Sequence, residues 1–304
     1  MRRLKNTLIY ALARLVLAFT RLLPWRLALG FGAALGRLGY LLARGARHDT
    51  LAHLALAFPE LADDERRRLA RRVFAHLGRA AAEWACVRRL PDITRYVRLV
   101  PESLGLLRSL LARGRGVIFV TAHAGNWELM ALALARAGLP VFTIGKKSYD
   151  PRFTRLIDET RRLGPVHTLW RGEPELSTRM REVLAAGNIL GLLIDQDTRV
   201  PGVFVPFFGR PAHTPVAAAA LARETGAPLV TGFNFRVPEG GYRVVVEEFP
   251  TSSEPEPRQA IATDTAALTL RIERHIREHP TEWVWMHRRW KTRPEPNESR
   301  PGRA

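Results

Sequence analysis

The chain has 304 residues, 46% apolar and 25% charged, which suits a large globular core and excludes a disordered or fibrous protein. Lys and Arg number 47 against 29 Asp and Glu, a net charge of +18 that seeks polyanions: nucleic acid, anionic lipid or a phosphorylated substrate. A single cysteine, Cys86, excludes an internal disulfide and a thiolate metal cluster. Helices are expected throughout the first hundred residues. Leu8 to Leu23 is mostly apolar and follows the basic Met-Arg-Arg-Leu-Lys start. Arg14 and Arg21 interrupt it, so it reads less well as a clean span than as a helix lying in a membrane interface on Leu8, Ile9, Leu12, Leu15, Val16 and Phe19. A second apolar stretch, Leu27 to Leu42, is broken by Arg37. Two ordinary amphipathic helices packed on the core are the plainer alternative. Residues 1–45 are therefore expected to associate with a membrane, residues 46–293 to form the main domain, and 294–304 to be a disordered tail.

A helix opens at Asp63-Asp64-Glu65 and runs towards Arg89, with Phe74, Leu77, Ala81 and Trp84 at helical spacing. Beyond Pro101 the pattern alternates. Helix 101–113, strand 116–122, helix 127–137 and strand 140–145 come first; helices 151–163 and 174–186 then lead into strand 189–194. Helix 215–225 is expected to use Thr214 as its cap and Pro215 as its first position, followed by strands 228–234 and 242–249 and helix 259–279. Strands alternating with helices imply an α/β fold, a mixed and largely parallel sheet flanked by helices, with a helical N-terminal region at the membrane. Sites in such sheets form beyond the carboxyl ends of strands.

His123 and Asp195 both occupy that location. The run Val117 to Val120 delivers His123 to a Gly125-Asn126 turn, and Glu128 lies in the first turn of the helix that follows. An imidazole at a strand end with a carboxylate five residues on is the layout of a general base and its orienting partner. The spacing itself arises about once by chance in such a composition; the strand, turn and helix around it carry the signal. The plain alternative has His123 satisfying a strand end and Glu128 complementing a helix dipole.

Three further segments stand out. Asp195-Gln196-Asp197 ends the strand Ile189–Ile194; it reads as a metal pair, a strand-end cap, or a carboxylate holding the catalytic loop or an arginine. No His or Cys lies near it in sequence, and no metal is expected. The aromatic loop Gly202–Pro215 either folds over the core or lines an acyl groove. Trp283-Val-Trp-Met-His-Arg-Arg-Trp-Lys-Thr-Arg-Pro interleaves aromatics and cations, which suits single-stranded nucleic acid or a membrane interface.

Together the basic-apolar start, His-Ala-Gly-Asn-Trp-Glu, Asp-Gln-Asp, Gly-Val-Phe-Val-Pro-Phe-Phe-Gly and Trp-Met-His-Arg-Arg-Trp-Lys-Thr-Arg-Pro resemble the late acyltransferases of lipid A biosynthesis, the lauroyl/myristoyl transferase family. The resemblance covers nearly the whole chain. It implies an enzyme on the cytoplasmic face of a bacterial inner membrane that moves an acyl chain from acyl carrier protein to a lipid A precursor. His123 and Glu128 fall on the family's His-x4-acid pair, Asp195 on its Asp-Gln-Asp, and a functional arginine on Arg161, with Arg162 and Arg171 as alternatives.

The expected chemistry uses His123 to deprotonate the hydroxyl of a 3-hydroxyacyl chain, Glu128 to hold the imidazole, and Arg161 with the backbone of 124–126 to meet the oxyanion. The carrier thioester is the donor, with no cofactor. Expected partners are acyl carrier protein, a phosphorylated glycolipid and the membrane surface, but not nucleic acid. The chain departs from the family at Gly145-Lys-Lys-Ser-Tyr, where many members have Arg-Pro; this leaves the acceptor open to a lysophospholipid or a mannosylated phosphoinositide. A non-enzymatic nucleic-acid or membrane adaptor would explain the charge but not the His-Glu turn.

Overall fold

The computed structural model describes residues 2–294. The expected tail lies outside them from residue 295 onward, as do Met1 and the side chains of the next four residues at the basic start. Four helices lead the chain: α1 (Arg2–Leu22), α2 (Trp25–Leu42), α3 (Arg44–Ala57) and α4 (Asp63–Cys86). The short α5 (Ile93–Tyr96) and β1 (Val97–Leu99) precede α6 (Pro101–Leu111), β2 (Val117–Thr121), α7 (Trp127–Arg136), β3 (Val141–Gly145), α8 (Pro151–Arg161), β4 (Val166–Trp170), α9 (Leu176–Ala185) and β5 (Ile189–Leu193). The hairpin β6 (Gly202–Phe207) and β7 (Arg210–Pro215) is followed by α10 (Ala217–Thr225), β8 (Leu229–Arg236), β9 (Tyr242–Phe249) and α11 (Pro257–Glu278).

Seven strands form one sheet in the order β1-β9-β8-β2-β5-β3-β4, parallel throughout except for the β8–β9 hairpin. The expected largely parallel α/β sheet is therefore present. All five residues of β2 are buried because helices cover both faces. Its side chains alternate between two cores: Ile118 and Val120 pack on the side of α3, α4 and α11, Val117 and Phe119 on the side of α6 and α7. Prolines at the first positions of α6, α8 and α11 set where those helices begin, with Asp150 and Glu256 accepting backbone N–H bonds as caps of the latter two.

Four strands escaped the sequence reading, for physical reasons. β1 has three residues, and β4 is an edge strand whose His167 is exposed, so neither shows a sustained apolar run. β6 and β7 carry Pro206 and Pro211 and read as a loop; they form a two-stranded ribbon turned at Phe208-Gly209, both with positive φ. This ribbon also corrects the expected start of α10. Thr214 and Pro215 pair with Val203 and Gly202, so the helix begins after them, at Ala217. Phe207, Phe208 and Ala212 of the ribbon are buried in the core, which supports folding over the core rather than lining an acyl groove; of residues 202–215 only Pro215 lines the main cavity.

α2 lies unusually close to α4. A Cβ on Gly36 would strike the backbone of Phe74, and one on Gly78 the backbone of Gly32. Such contact needs glycine on both helices. α1 is tied in more loosely: Arg21 Nε donates to the Ala85 carbonyl (3.0 Å), and Arg152 at the start of α8 lies over the Tyr10 ring (4.5 Å). Leu8, Leu12, Leu15, Phe19 and Leu22 recur at helical spacing along α1 and are 47–79% exposed. Leu27, Leu38, Leu41 and Leu42 of α2 are exposed as well. Among the described residues no helix is long and apolar enough to cross a membrane.

Candidate active site

β2 and β5 pair in parallel with Thr121 opposite Leu193. His123 and Asp195 each follow two residues later, so the register brings them side by side beyond the carboxyl ends of adjacent strands. Asp195 Oδ1 lies 2.8 Å from His123 Nδ1, and its Oδ2 accepts from the His123 backbone N–H (2.9 Å) and from Trp283 Nε1 (2.8 Å). The carboxylate is fully buried. Burial alone would raise its pKa, but the neighbouring imidazole and these three donors hold it below the usual carboxylate value. An ionised Asp195 only accepts, so the ring presents an Nδ1–H to it, and in the neutral imidazole the lone pair then lies on Nε2. Nε2 has no hydrogen-bond partner among the described residues, and the ring lines a cavity. That is the arrangement of a general base.

Glu128 is elsewhere. The sequence expectation that it orients His123 is corrected: no hydrogen bond or ion pair joins them, and Glu128 is instead gripped by Arg161. Arg161 Nε donates to Glu128 Oε2 (3.0 Å) and Nη2 to Oε1 (2.6 Å), while Nη1 donates to Thr168 Oγ1 (2.7 Å). A guanidinium offers two parallel donors that match a carboxylate, and this contact wins over a single bond to an imidazole. Glu128 is the second residue of α7, and its side chain points along the cavity wall to Arg161 at the end of α8. Glu128, Arg161 and His123 do converge on the same cavity. Arg162 caps the end of α8, and Arg171 lines the cavity further along.

The turn that presents His123 is rigid. Gly125 has φ +61°, and a Cβ there would run into the carbonyl oxygen of Asn234. Its N–H donates to the Glu282 carbonyl (3.0 Å) and its own carbonyl contacts His76 Nε2 (3.0 Å). Asn126 caps α7, accepting from Leu129 N–H (3.3 Å), and donates to the Ala80 carbonyl (3.1 Å) and Glu83 (3.0 Å). Two of the turn's backbone N–H groups, those of His123 and Gly125, are thus occupied, which removes them as donors to an oxyanion.

Sequence reasoning missed what lies beneath. Glu83 is wholly buried and accepts from Tyr96 Oη (2.8 Å), Asn126 Nδ2 (3.0 Å), Arg236 Nη1 (2.7 Å) and Tyr242 Oη (2.7 Å). Burial, then the charge of Glu83, push the Tyr242 hydroxyl far above its ordinary pKa, so it stays a donor. The available signal was a lone acid in the apolar run Ala80 to Cys86 of α4.

The remaining motifs are structural. Asp197 accepts from Thr292 N–H (2.8 Å) and Thr292 Oγ1 (3.0 Å), pinning the C-terminal segment. In that segment Trp283, Trp285 and Arg289 are buried, Arg289 donating to the His213 carbonyl and Thr214 Oγ1. Side chains packed this way cannot stack on bases or sit in a lipid interface.

The cavity occupies about 790 Å³ and runs from His123 between apolar walls that include Phe119, Met130, Leu134, Ile144 and Leu192. Phe119, Thr121 and His123 alternate along one face of the β2 strand and its extension, placing the imidazole at the end of the apolar wall. Predominantly apolar walls with a few convergent polar groups are the usual lining of a small-molecule site.

The family model described as bacterial lipid A biosynthesis acyltransferase matches residues 2–292. The lipid A biosynthesis lauroyltransferase of Escherichia coli is 29% identical over 285 residues, 90% of this chain and 88% of that protein. The phosphatidylinositol mannoside acyltransferase of Mycobacterium tuberculosis is 31% identical over 215 residues, 68% of this chain and 66% of that protein. The E. coli lipid A biosynthesis palmitoleoyltransferase is 27% identical over 262 residues, covering 82% and 80%.

Proposed function

Because the chain belongs to the bacterial lipid A biosynthesis acyltransferase family and its chemistry is therefore acyl transfer, we propose that His123 is the general base in moving a fatty acyl chain from acyl carrier protein to a hydroxyl of a lipid A precursor. The observation that carries this reading is the buried Asp195 carboxylate on Nδ1, which leaves Nε2 basic at the mouth of an apolar cavity. Nε2 takes the proton of the hydroxyl on a 3-hydroxyacyl chain. The oxygen attacks the thioester carbonyl, the C–S bond breaks as the tetrahedral adduct collapses, and the leaving thiolate recovers the proton from the imidazolium. Asp195 stabilises that transient cation.

Arg161 has five N–H donors, of which three are engaged by Glu128 and Thr168. The remaining two serve the oxyanion, and Glu128 sets the guanidinium in place for it. The donor's acyl chain lies along the apolar wall. Substituting His123→Gln should lower turnover roughly 10²–10⁴-fold, measured as acyl transfer from carrier thioester to a lipid A precursor by purified protein in detergent. Turnover within threefold of the wild type would refute the base assignment. A mannosylated phosphoinositide is the second acceptor to assay, because the mycobacterial relatives carry that substrate in their names.

The reading places the enzyme on the cytoplasmic face of the inner membrane, lying in the interface rather than spanning it. The apolar stripe of α1 and the exposed leucines of α2 support this; left in water they would be a large apolar patch. Wild-type protein should float with vesicles containing anionic lipid, and the triple substitution of Leu8, Leu12 and Leu15 to Gln should remain at the bottom of the gradient. Equal flotation of both would reject α1 as the attachment surface.

A further inference from the structure

The β3 and β4 strands end in register, Gly145 opposite Trp170, and Arg171 N–H continues the ladder onto the Gly145 carbonyl (2.8 Å). The next residue on each strand is a cation: Lys146 and Arg171. They leave neighbouring strand ends on the same edge of the sheet as His123 and Asp195, and both line the cavity. Their neighbours are neutralised. Lys147 and Arg179 share Glu173 (3.0 and 2.9 Å), Arg181 pairs with Glu224 (2.6 Å), and Arg161 with Glu128.

Lys146 and Arg171 have no carboxylate within ion-pair distance among the described residues. The two glutamates that line the cavity, Glu128 and Glu224, are each held by another arginine. Arg171 is half-buried, and desolvation unopposed by any anion lowers its pKa. A guanidinium withdrawn from water without a counter-charge is destabilising unless an anion arrives with the ligand. Lys146 is exposed and Arg171 partly withdrawn from water, and both line the one cavity.

We infer that Lys146 and Arg171 form a phosphate-binding subsite at the mouth of the acyl cavity. The inference rests on the acyl-transfer reading for the claim that substrate enters here, and names the group recognised beside the reacting chain. Two sources present that chemistry: a phosphate on the acceptor glycolipid, or the phosphodiester of the carrier's pantetheine arm. The planar guanidinium takes two phosphate oxygens and the ammonium a third.

Binding and kinetics separate the possibilities. Dodecyl phosphate and uncharged dodecyl glucoside serve as equilibrium probes against wild-type protein and the double substitution Lys146→Gln/Arg171→Gln. The wild type should prefer dodecyl phosphate by roughly tenfold or more, as expected for loss of a charge-assisted hydrogen bond. The double substitution should abolish the preference. A wild type indifferent to the phosphate, or a double substitution that keeps the preference, overturns the subsite.

With carrier thioester and phosphorylated acceptor as substrates, the same double substitution should raise KM for one of them about tenfold or more. A rise for the acceptor assigns the phosphate to its head group. A rise for the carrier assigns it to the pantetheine arm. No rise for either overturns the inference. Wild-type protein that binds dodecyl phosphate selectively yet transfers no acyl chain would reject the acyl-transfer reading while leaving the phosphate site intact.

Discussion

Replacing Asp195 by Asn should lower turnover by roughly 10³–10⁴-fold, the scale seen when an orienting carboxylate is lost from a serine-protease triad. The reason lies in which oxygen does what. Oδ2 accepts from two donors, the His123 N–H and Trp283 Nε1, so an asparagine keeps its oxygen there. Its amide nitrogen then faces His123 Nδ1 and donates to it. The ring must release its Nδ1 proton and carry one on Nε2 instead, and the lone pair needed to deprotonate a hydroxyl is gone. Volume and backbone contacts are retained, so the substituted protein should fold and bind its lipid acceptor. Single-turnover acyl transfer measures the effect; a rate within tenfold of the wild type would mean that the imidazole tautomer does not govern the chemistry.

The largest loss of stability should follow Glu83→Ala. Its carboxylate is the counter-charge of Arg236 and the acceptor for Tyr96, Tyr242 and Asn126. Removing one partner of a buried ion pair strands the other, at a cost of about 3–5 kcal/mol. For a domain of this size that corresponds to a fall in Tm of roughly 6–20 °C. Glu83→Gln keeps the shape and two polar ends but not the charge, and should lose less. Activity should fall with stability, because Asn126 both caps α7 and fixes the turn that carries His123. Thermal unfolding followed by circular dichroism in detergent tests this, and an unchanged Tm for Glu83→Ala would show that Arg236 finds another partner.

Glu83 also illustrates where reading residues in order stops. It lies 43 positions from Asn126 and 153 from Arg236, and nothing local announces the meeting. The same holds for Glu128. Five residues from His123 it invites pairing, yet the helix that begins at Trp127 carries it away from the turn and into the reach of Arg161, 33 positions on. Asp195, 72 positions from His123, becomes the orienting group because two parallel strands stand in register. Its possible role in holding the catalytic loop was legible from its strand end; its bond to the imidazole was not.

The order of chain elements set much of this molecule before any packing is considered. Continuous apolar runs such as Val117–Val120 and Ile189–Ile194, too short for a helix and flanked by glycine or loop residues, read as strands buried on both faces; helices between them join them in parallel, and His123 and Asp195 therefore emerge at one edge. The apolar stripe on α1 is likewise a property of spacing alone. Tertiary structure decided which charge meets which. Strand order and register are collective outcomes of sheet assembly, and ion pairing follows proximity in space. Only the folded chain gives His123 an aspartate, gives Glu128 an arginine, and leaves Lys146 and Arg171 without a counter-ion among the described residues.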